Sequence, residues 1–291
     1  MILEKRLQDV GVLITGASQG LGKAISTACV AQGAHVFLTA RDTATLEAVA
    51  SELRALAQPG QQVLTAAGDV ASPAHAELVA GRAAAELPNF CGLVNNAGVW
   101  GPMGRLEDVP WEEWAGAIQT NLMGTALMCR FAIPNFRKHN YGKIVNLSGG
   151  GATAPMPRIS AYAASKAAVV RFTETLALET RDGGIRVNAV APGAMNTRML
   201  DQLLSAGKEK VGDYYQRGLK QRDEGGASLE RAASLIVFLL SRASDEISGR
   251  LISAVWDPWE SLPERAGELA GTDVYTLRRI IPKERGLDWE E

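Results

Sequence analysis

Short runs rich in Val, Ile and Leu recur along the chain, and stretches of helical length separate most of them. The runs are GVLIT (11–15), HVFLT (35–39), QQVLTA (61–66), CGLVN (91–95), GKIVNLS (142–148), IRVNAV (185–190) and RLISAV (250–255). Ala/Leu/Glu-rich stretches at 20–32, 43–57, 73–87, 111–138, 160–181 and 228–242 lie between them. No other feature constrains the fold as much. Strands joined through helices run parallel, and a parallel sheet needs helices on both faces. Several runs are apolar on both sides, as buried parallel strands must be. The predicted fold class is α/β, a single doubly wound sheet of seven mainly parallel strands with helices on both faces.

No Pro/Gly/Ser-rich linker divides the 291 residues, so residues 1–256 read as one domain. Two stretches break the alternation. Residues 197–227 form a polar insertion between the sixth and seventh strands, suited to a lid. Residues 257–291 read as a C-terminal extension and not as a separate domain. They keep Trp259, Leu262, Val274, Tyr275, Leu277, Ile280, Ile281, Leu287 and Trp289, which is too apolar for a free arm. The extension is expected to be ordered, and to cover a ligand cleft or clasp a neighbouring subunit.

Thirty Lys+Arg against 32 Asp+Glu leave a net charge of -2, which excludes a globally basic nucleic-acid binder. Cys29, Cys91 and Cys129 lie far apart with no CxxC pair, and His35, His75 and His139 have no metal spacing. No metal site is expected, and the sparse thiols point to a reducing, cytoplasmic setting. The opening MILEKRLQDV has no apolar signal core, and the longest apolar run, LIVFLL (235–240), is too short for a bilayer.

The first strand runs into Thr15-Gly16-Ala17-Ser18-Gln19-Gly20-Leu21-Gly22, and a helix follows. Glycines serve where backbone turns tightly and approaches a pyrophosphate, and the helix N-terminus then offers free N–H groups to phosphate oxygens. The spacing is GxxxGxG, and its place between strand and helix points to a dinucleotide. Four further stretches follow in order. Asn95-Asn96-Ala97-Gly98 closes the fourth strand, Asn121 lies in the next helix, Ser148 ends the fifth strand, and YAASK carries Tyr162 and Lys166. Pro192-Gly193 follows the sixth strand, with Met195 and Thr197 just after. In this order and spacing the motifs resemble the short-chain dehydrogenase/reductase family over about residues 8–255, which implies a Rossmann-type fold.

Tyr162 and Lys166 are i and i+4 on a helix and project from one face. A phenol has an ordinary pKa near 10, and a neighbouring ammonium is expected to lower it. Such a pair suits a general acid for carbonyl reduction and a general base for alcohol oxidation. The resemblance implies a catalytic tetrad of Asn121, Ser148, Tyr162 and Lys166. In it Ser148 donates to the substrate oxygen, Lys166 also holds the nicotinamide ribose, and Asn121 holds a water beside Lys166. It further implies cofactor contacts from Gly16, Ser18, Gln19, Gly20, Leu21 and Gly22. Others would come from Asp69 and Val70 at the adenine, from Asn96, Ala97 and Gly98, and from Pro192, Gly193, Met195 and Thr197 at the carboxamide.

The second strand ends near Ala40, followed by Arg41. An Asp at that tip would repel a 2′-phosphate, whereas an Arg would hold it. The expectation is NADP(H) over NAD(H). Asp42 next door and Gln19 in the glycine turn count for NAD.

The implied activity is hydride transfer between nicotinamide and a secondary alcohol or ketone. Met156, Arg158, Met195, Arg198, Met199, Tyr214 and Tyr215 stand near the site or lid. Their two Arg and two Tyr suggest a sugar-like or acyl-thioester substrate, or else simply exposed Arg. Trp100 is placed either against the cleft or in the core. A 3-oxoacyl-[acyl-carrier-protein] reductase-like enzyme is one alternative, although WDPWE (256–260) replaces the family's frequent Asp-Gly-Gly. A non-catalytic dinucleotide-binding scaffold is the alternative of another class. Helices 111–138 and 160–181 carry surplus apolar residues, which in the family pair subunits into a homodimer or homotetramer.

Overall fold

The computed structural model describes residues 5–289. Seven strands form one sheet: β1 (Gly11–Thr15), β2 (His35–Ala40), β3 (Val63–Ala67), β4 (Phe90–Asn95), β5 (Gly142–Leu147), β6 (Ile185–Ala191) and β7 (Leu251–Ser253). Their order is β3-β2-β1-β4-β5-β6-β7, and every neighbouring pair is parallel. Every residue of β1, β2 and β5 is buried, which is why their sequences are apolar without alternation.

One face is covered by α1 (Gly20–Ala31), α2 (Thr43–Leu56) and α10 (Leu229–Leu240), after intervening helices. Their buried stripes, with Ile25, Leu46, Val49, Ile236 and Leu240, close one core. The other face carries α3 (Pro73–Glu86), α5 (Gly124–Lys138) and α6 (Ser160–Glu179), with Val79, Met128, Phe136 and Leu176. The strand order reverses beside β1, between β1 and β4, so the crevice at the strand C-termini opens there.

The expected helix 111–138 is α4 (Trp111–Ile118), a π-helical turn at Gln119–Met123, and α5. The insertion 197–227 is not a loop. It folds as α7 (Arg198–Ala206), α8 (Lys208–Val211) and α9 (Tyr214–Glu224). A polar composition hid helices whose apolar contacts are few.

The C-terminal extension corrects an expectation. Its first part packs on its own subunit. Trp259, Leu262 and Leu269 are buried in the core of the α1/α2/α10 face, and Trp259 lies 5.6 Å from the Phe238 ring. Arg250 then holds the chain by donating to the carbonyls of Leu269 (2.6 Å), Thr272 (2.9 Å) and Val274 (2.6 Å). Leu251 N–H donates to Tyr275 O at 2.8 Å, and Leu277 N–H donates to Glu174 Oε1 at 2.6 Å. The seventh strand therefore did not complete the core, because that core keeps a site for a tryptophan. Ile280, Leu287 and Trp289 remain exposed, as does Trp256 just before the extension.

Candidate active site

A cleft of about 1630 Å³ opens at the C-terminal ends of the strands. Every predicted site residue except Asn121 lines it. Its floor at one end is the glycine turn. Gly16 and Gly20 have φ of +63° and +52°, a conformation glycine adopts without strain. A Cβ on Gly16 would meet Ala97 Cα at 2.8 Å, so the turn packs directly on the β4 exit. Asn96 braces it, donating from Nδ2 to Thr15 O (3.0 Å) and Gly16 O (3.1 Å). Gln19, the N-cap of α1, makes no side-chain capping bond. The first N–H groups of α1 are thus left for another acceptor, as a phosphate site requires. Ser18 and Leu21 lie on the same wall.

At the far end of this wall, Arg41 and Asp42 part ways. Asp42 Oδ1 accepts from Thr45 N–H at 2.8 Å and caps α2, and that backbone bond holds its carboxyl below the ordinary range. The carboxylate is therefore committed to the helix. Arg41 is exposed, lines the cleft, and has no ion pair among the described residues. Asp69 Oδ1 accepts from Ala71 N–H at 2.9 Å, and Val70 is buried beside it. Across the cleft, Gly193 has φ +93° and its missing Cβ leaves room for Ala227 and Val255. Pro192, Met195 and Thr197 complete that side.

Three of the four expected catalytic residues, Ser148, Tyr162 and Lys166, meet where β5 ends. Lys166 is almost fully buried and donates from Nζ to Leu147 O at 2.7 Å, with the Tyr162 ring centre 5.7 Å away. Ser148 is buried, and its hydroxyl has no partner within the protein. The Tyr162 hydroxyl packs over Gly149, where no side chain would fit. Burial raises Tyr162 to about 12 and lowers Lys166 to about 8. The expected lowering of the phenol by its lysine is therefore overturned, because desolvation penalises both charged forms.

Asn121 stands one layer back, in the π turn. Its Nδ2 donates to Val99 O and Ser165 Oγ, both at 2.9 Å, and its Oδ1 accepts from Val99 N–H at 2.8 Å. It ties the β4 exit to α6. A Cβ on Gly98 would lie 3.3 Å from Asn121 Oδ1 and 3.5 Å from Lys166 Nζ, so both groups converge on that backbone.

On the substrate side, Trp100 lines the cleft. Its ring lies 4.3 Å from that of Tyr162, and its Nε1–H donates to Met199 O at 2.7 Å. Met156, Met199 and Tyr214 join it. Arg158 does not. It has φ +69° and turns away, donating from Nη1 to Glu209 O at 2.6 Å. Tyr215 packs behind the same cluster. Sequence reasoning missed Gly149, Arg217, Lys220 and Asp257 on this wall. Only the fold brings α9, the β5 exit and the β7 exit together, so no local pattern marks these four.

Among the described residues no group of His, Cys, Asp and Glu is placed to hold a metal, and no helix is long and apolar enough to cross a membrane.

The profile of the family described as short chain dehydrogenase matches residues 11–207. The chain is 40% identical over 197 residues to 3beta-hydroxysteroid dehydrogenase 1 of Eggerthella lenta, covering 66% of this chain and 72% of that one. It is 30% identical over 253 residues to D-beta-hydroxybutyrate dehydrogenase of Cupriavidus necator, covering 84% and 94%. The crystal structure of levodione reductase superposes with a TM-score of 0.78 at 27% identity, over 88% of this chain and 99% of that one. With the matched profile spanning the chain from β1 through α7, the chain belongs to the short-chain dehydrogenase/reductase family, oxidoreductases that act on CH–OH groups with a nicotinamide dinucleotide.

Proposed function

We propose that the chain interconverts a ketone and a secondary alcohol, with Tyr162 as general acid and base and NADP(H) favoured over NAD(H). The observation that carries this reading is the pair of hydroxyls at the β5 exit. Ser148 Oγ is buried without a partner, and the Tyr162 hydroxyl packs over the next residue, Gly149. A buried donor without an acceptor is costly unless a ligand supplies one.

The uncapped start of α1 and the glycine turn fit a pyrophosphate, and free Arg41 fits a 2′-phosphate. Bound there, nicotinamide supplies or accepts a hydride. Ser148 orients the substrate oxygen and donates to it as negative charge grows. Tyr162 gives that oxygen its proton. Burial keeps the phenol protonated at neutral pH, the form that carbonyl reduction needs. Lys166, anchored on Leu147 O, presents its ammonium to the phenol and to the ribose. Asn121 positions the Val99 backbone and Ser165, next to Lys166 on α6, and, by resemblance, holds a water next to the lysine. A scaffold that only binds dinucleotides has no need of the unpartnered hydroxyl pair. The relatives are named for a hydroxybutyrate, a steroid and levodione, a spread that fixes no single substrate.

Exposed Trp111, Met123 and Leu178 on the α4–α6 side fit burial against a second copy, giving a homodimer or homotetramer, which sedimentation at micromolar concentration tests. Three reduced thiols fit a cytoplasmic location.

The deciding experiment is Tyr162→Phe, which removes only the hydroxyl. Turnover should drop by about 10²- to 10⁴-fold with NADPH affinity nearly kept. A drop smaller than about tenfold would remove Tyr162 from the acid–base role.

A further inference from the structure

The cleft wall around Tyr162 is built almost entirely of apolar and aromatic side chains. Trp100, Met156, Met199, Leu203 and Tyr214 both line the cleft and pack in one cluster with Tyr162. The few polar atoms of that wall are already engaged. Trp100 Nε1–H donates to Met199 O at 2.7 Å, and the Tyr214 hydroxyl donates to Pro155 O at 3.3 Å. Arg158, a candidate anion contact by sequence, is held by Glu209 O. Thr153, Arg198, Arg217 and Lys220 line the mouth and remain exposed to water. Within the buried part of this wall the hydroxyls of Ser148 and Tyr162 are left without a protein partner, and both lie at the β5 exit.

We propose that this chamber takes an apolar ring ketone, or the matching alcohol, with no hydrogen-bonding group besides the reacting oxygen, and that Trp100 determines this preference. The inference rests on the oxidoreductase reading of the cleft. A sugar would bury several hydroxyls with nothing to meet them, and each such loss weighs against binding by about tenfold or more. A ring body instead replaces water along the indole face, where an aromatic side chain contributes most of its contact area. Being rigid, it loses little internal freedom on burial. Met156 and Met199 adapt to its edge. Trp100 lies against the Tyr162 ring with its plane tilted 55° to it, and its bond to Met199 O fixes it to the start of α7. The indole is therefore a wall of fixed position, and wall position is what separates one ring size from another.

The test uses the full chain loaded with NADPH, and three ketones: trans-1-decalone, acetone and D-fructose. Decalone should exceed fructose in kcat/KM by about 10³-fold or more, since several unpaired hydroxyls combine. Trp100→Ala should lower the decalone-to-acetone selectivity by about tenfold or more, mainly through a higher KM for decalone. Trp100→Phe keeps an aromatic face and should recover most of that selectivity. Fructose turned over within about tenfold of decalone, or selectivity unchanged in Trp100→Ala, would overturn the proposal. Calorimetry of decalone binding to the NADPH-loaded Tyr162→Phe protein separates the two readings. Saturable binding there, with no turnover by the unaltered protein, refutes the oxidoreductase reading and leaves the chamber standing. Absence of saturable binding overturns the chamber itself.

Discussion

Gly149 and Gly150 are neighbours in sequence, yet the structure assigns them opposite tolerances. Gly149 is in extended backbone, with φ -177° and ψ 173°, so an alanine there has no conformational penalty. The obstacle is steric. A Cβ at Gly149 would stand 3.2 Å from Tyr162 Cζ, 3.3 Å from Cε1 and well inside 3 Å of the phenol oxygen. Restoring ordinary contact means moving that oxygen by about 1 Å, a displacement that typically lowers turnover by about 10²-fold. Tyr162 is held by the α6 backbone and by the Trp100 ring, so it cannot yield without changing its aim. At Gly150 an added Cβ would meet nothing within 4 Å. Gly149→Ala should therefore reduce kcat by about 10²-fold, while Gly150→Ala stays within about twofold, the spread of a surface change. The assay is NADPH oxidation followed by absorbance, with thermal melts to show that both variants fold. If Gly149→Ala works within about threefold of the parent, the phenol does not act from this position.

Arg41→Ala should raise the Michaelis constant for NADPH about ten- to a hundredfold and leave that for NADH almost unchanged; a parent enzyme that already prefers NADH contradicts the reading of Arg41. Trp259→Ala should lower unfolding free energy by about 3–5 kcal/mol, whereas Trp289→Ala should stay within about 0.5 kcal/mol; denaturant titration of the pair checks this, and equal effects would refute the assignment of the extension to its own core. Lys166 is lowered to about 8 from its ordinary 10.5, so between these values the unfolded chain holds the extra proton and raising pH favours the folded state. The stability of the parent relative to Lys166→Met should thus rise across that range in pH-resolved melts, and a flat or falling difference would contradict the burial of a charged lysine.

The architecture was legible because burial on both faces leaves a plain mark: every strand appeared as an apolar run, displaced by a residue or two at β3, β6 and β7. The cleft lining was legible because GxxxGxG, NNAG and YAASK each mark residues that the fold brings to it. Four things were not legible. The lid helices α7 and α9 bury only Leu200, Leu203 and Gly218, too little to show a period in a polar stretch. Asn121 looked like a residue of the cleft, but its π turn turns the side chain inward to Val99 and Ser165. The electrostatic balance at Tyr162 depends on how much water is excluded, a property of the packed wall that the spacing of Tyr162 and Lys166 does not carry. The place of Trp259 was hidden because β7 ends the strand pattern. Its place lies under α10, set by residues more than twenty positions earlier.

The backbone around Arg250 has a further consequence. β7 is one of the two edge strands, and a free outer edge is a template on which another extended chain can add itself. Here Tyr275 O already accepts the N–H of Leu251, and the guanidinium of Arg250 gathers three carbonyls of the same returning segment. The molecule thus occupies its own edge, and one side chain fastens the covering. Loss of that guanidinium would release the returning segment and uncover the β7 edge.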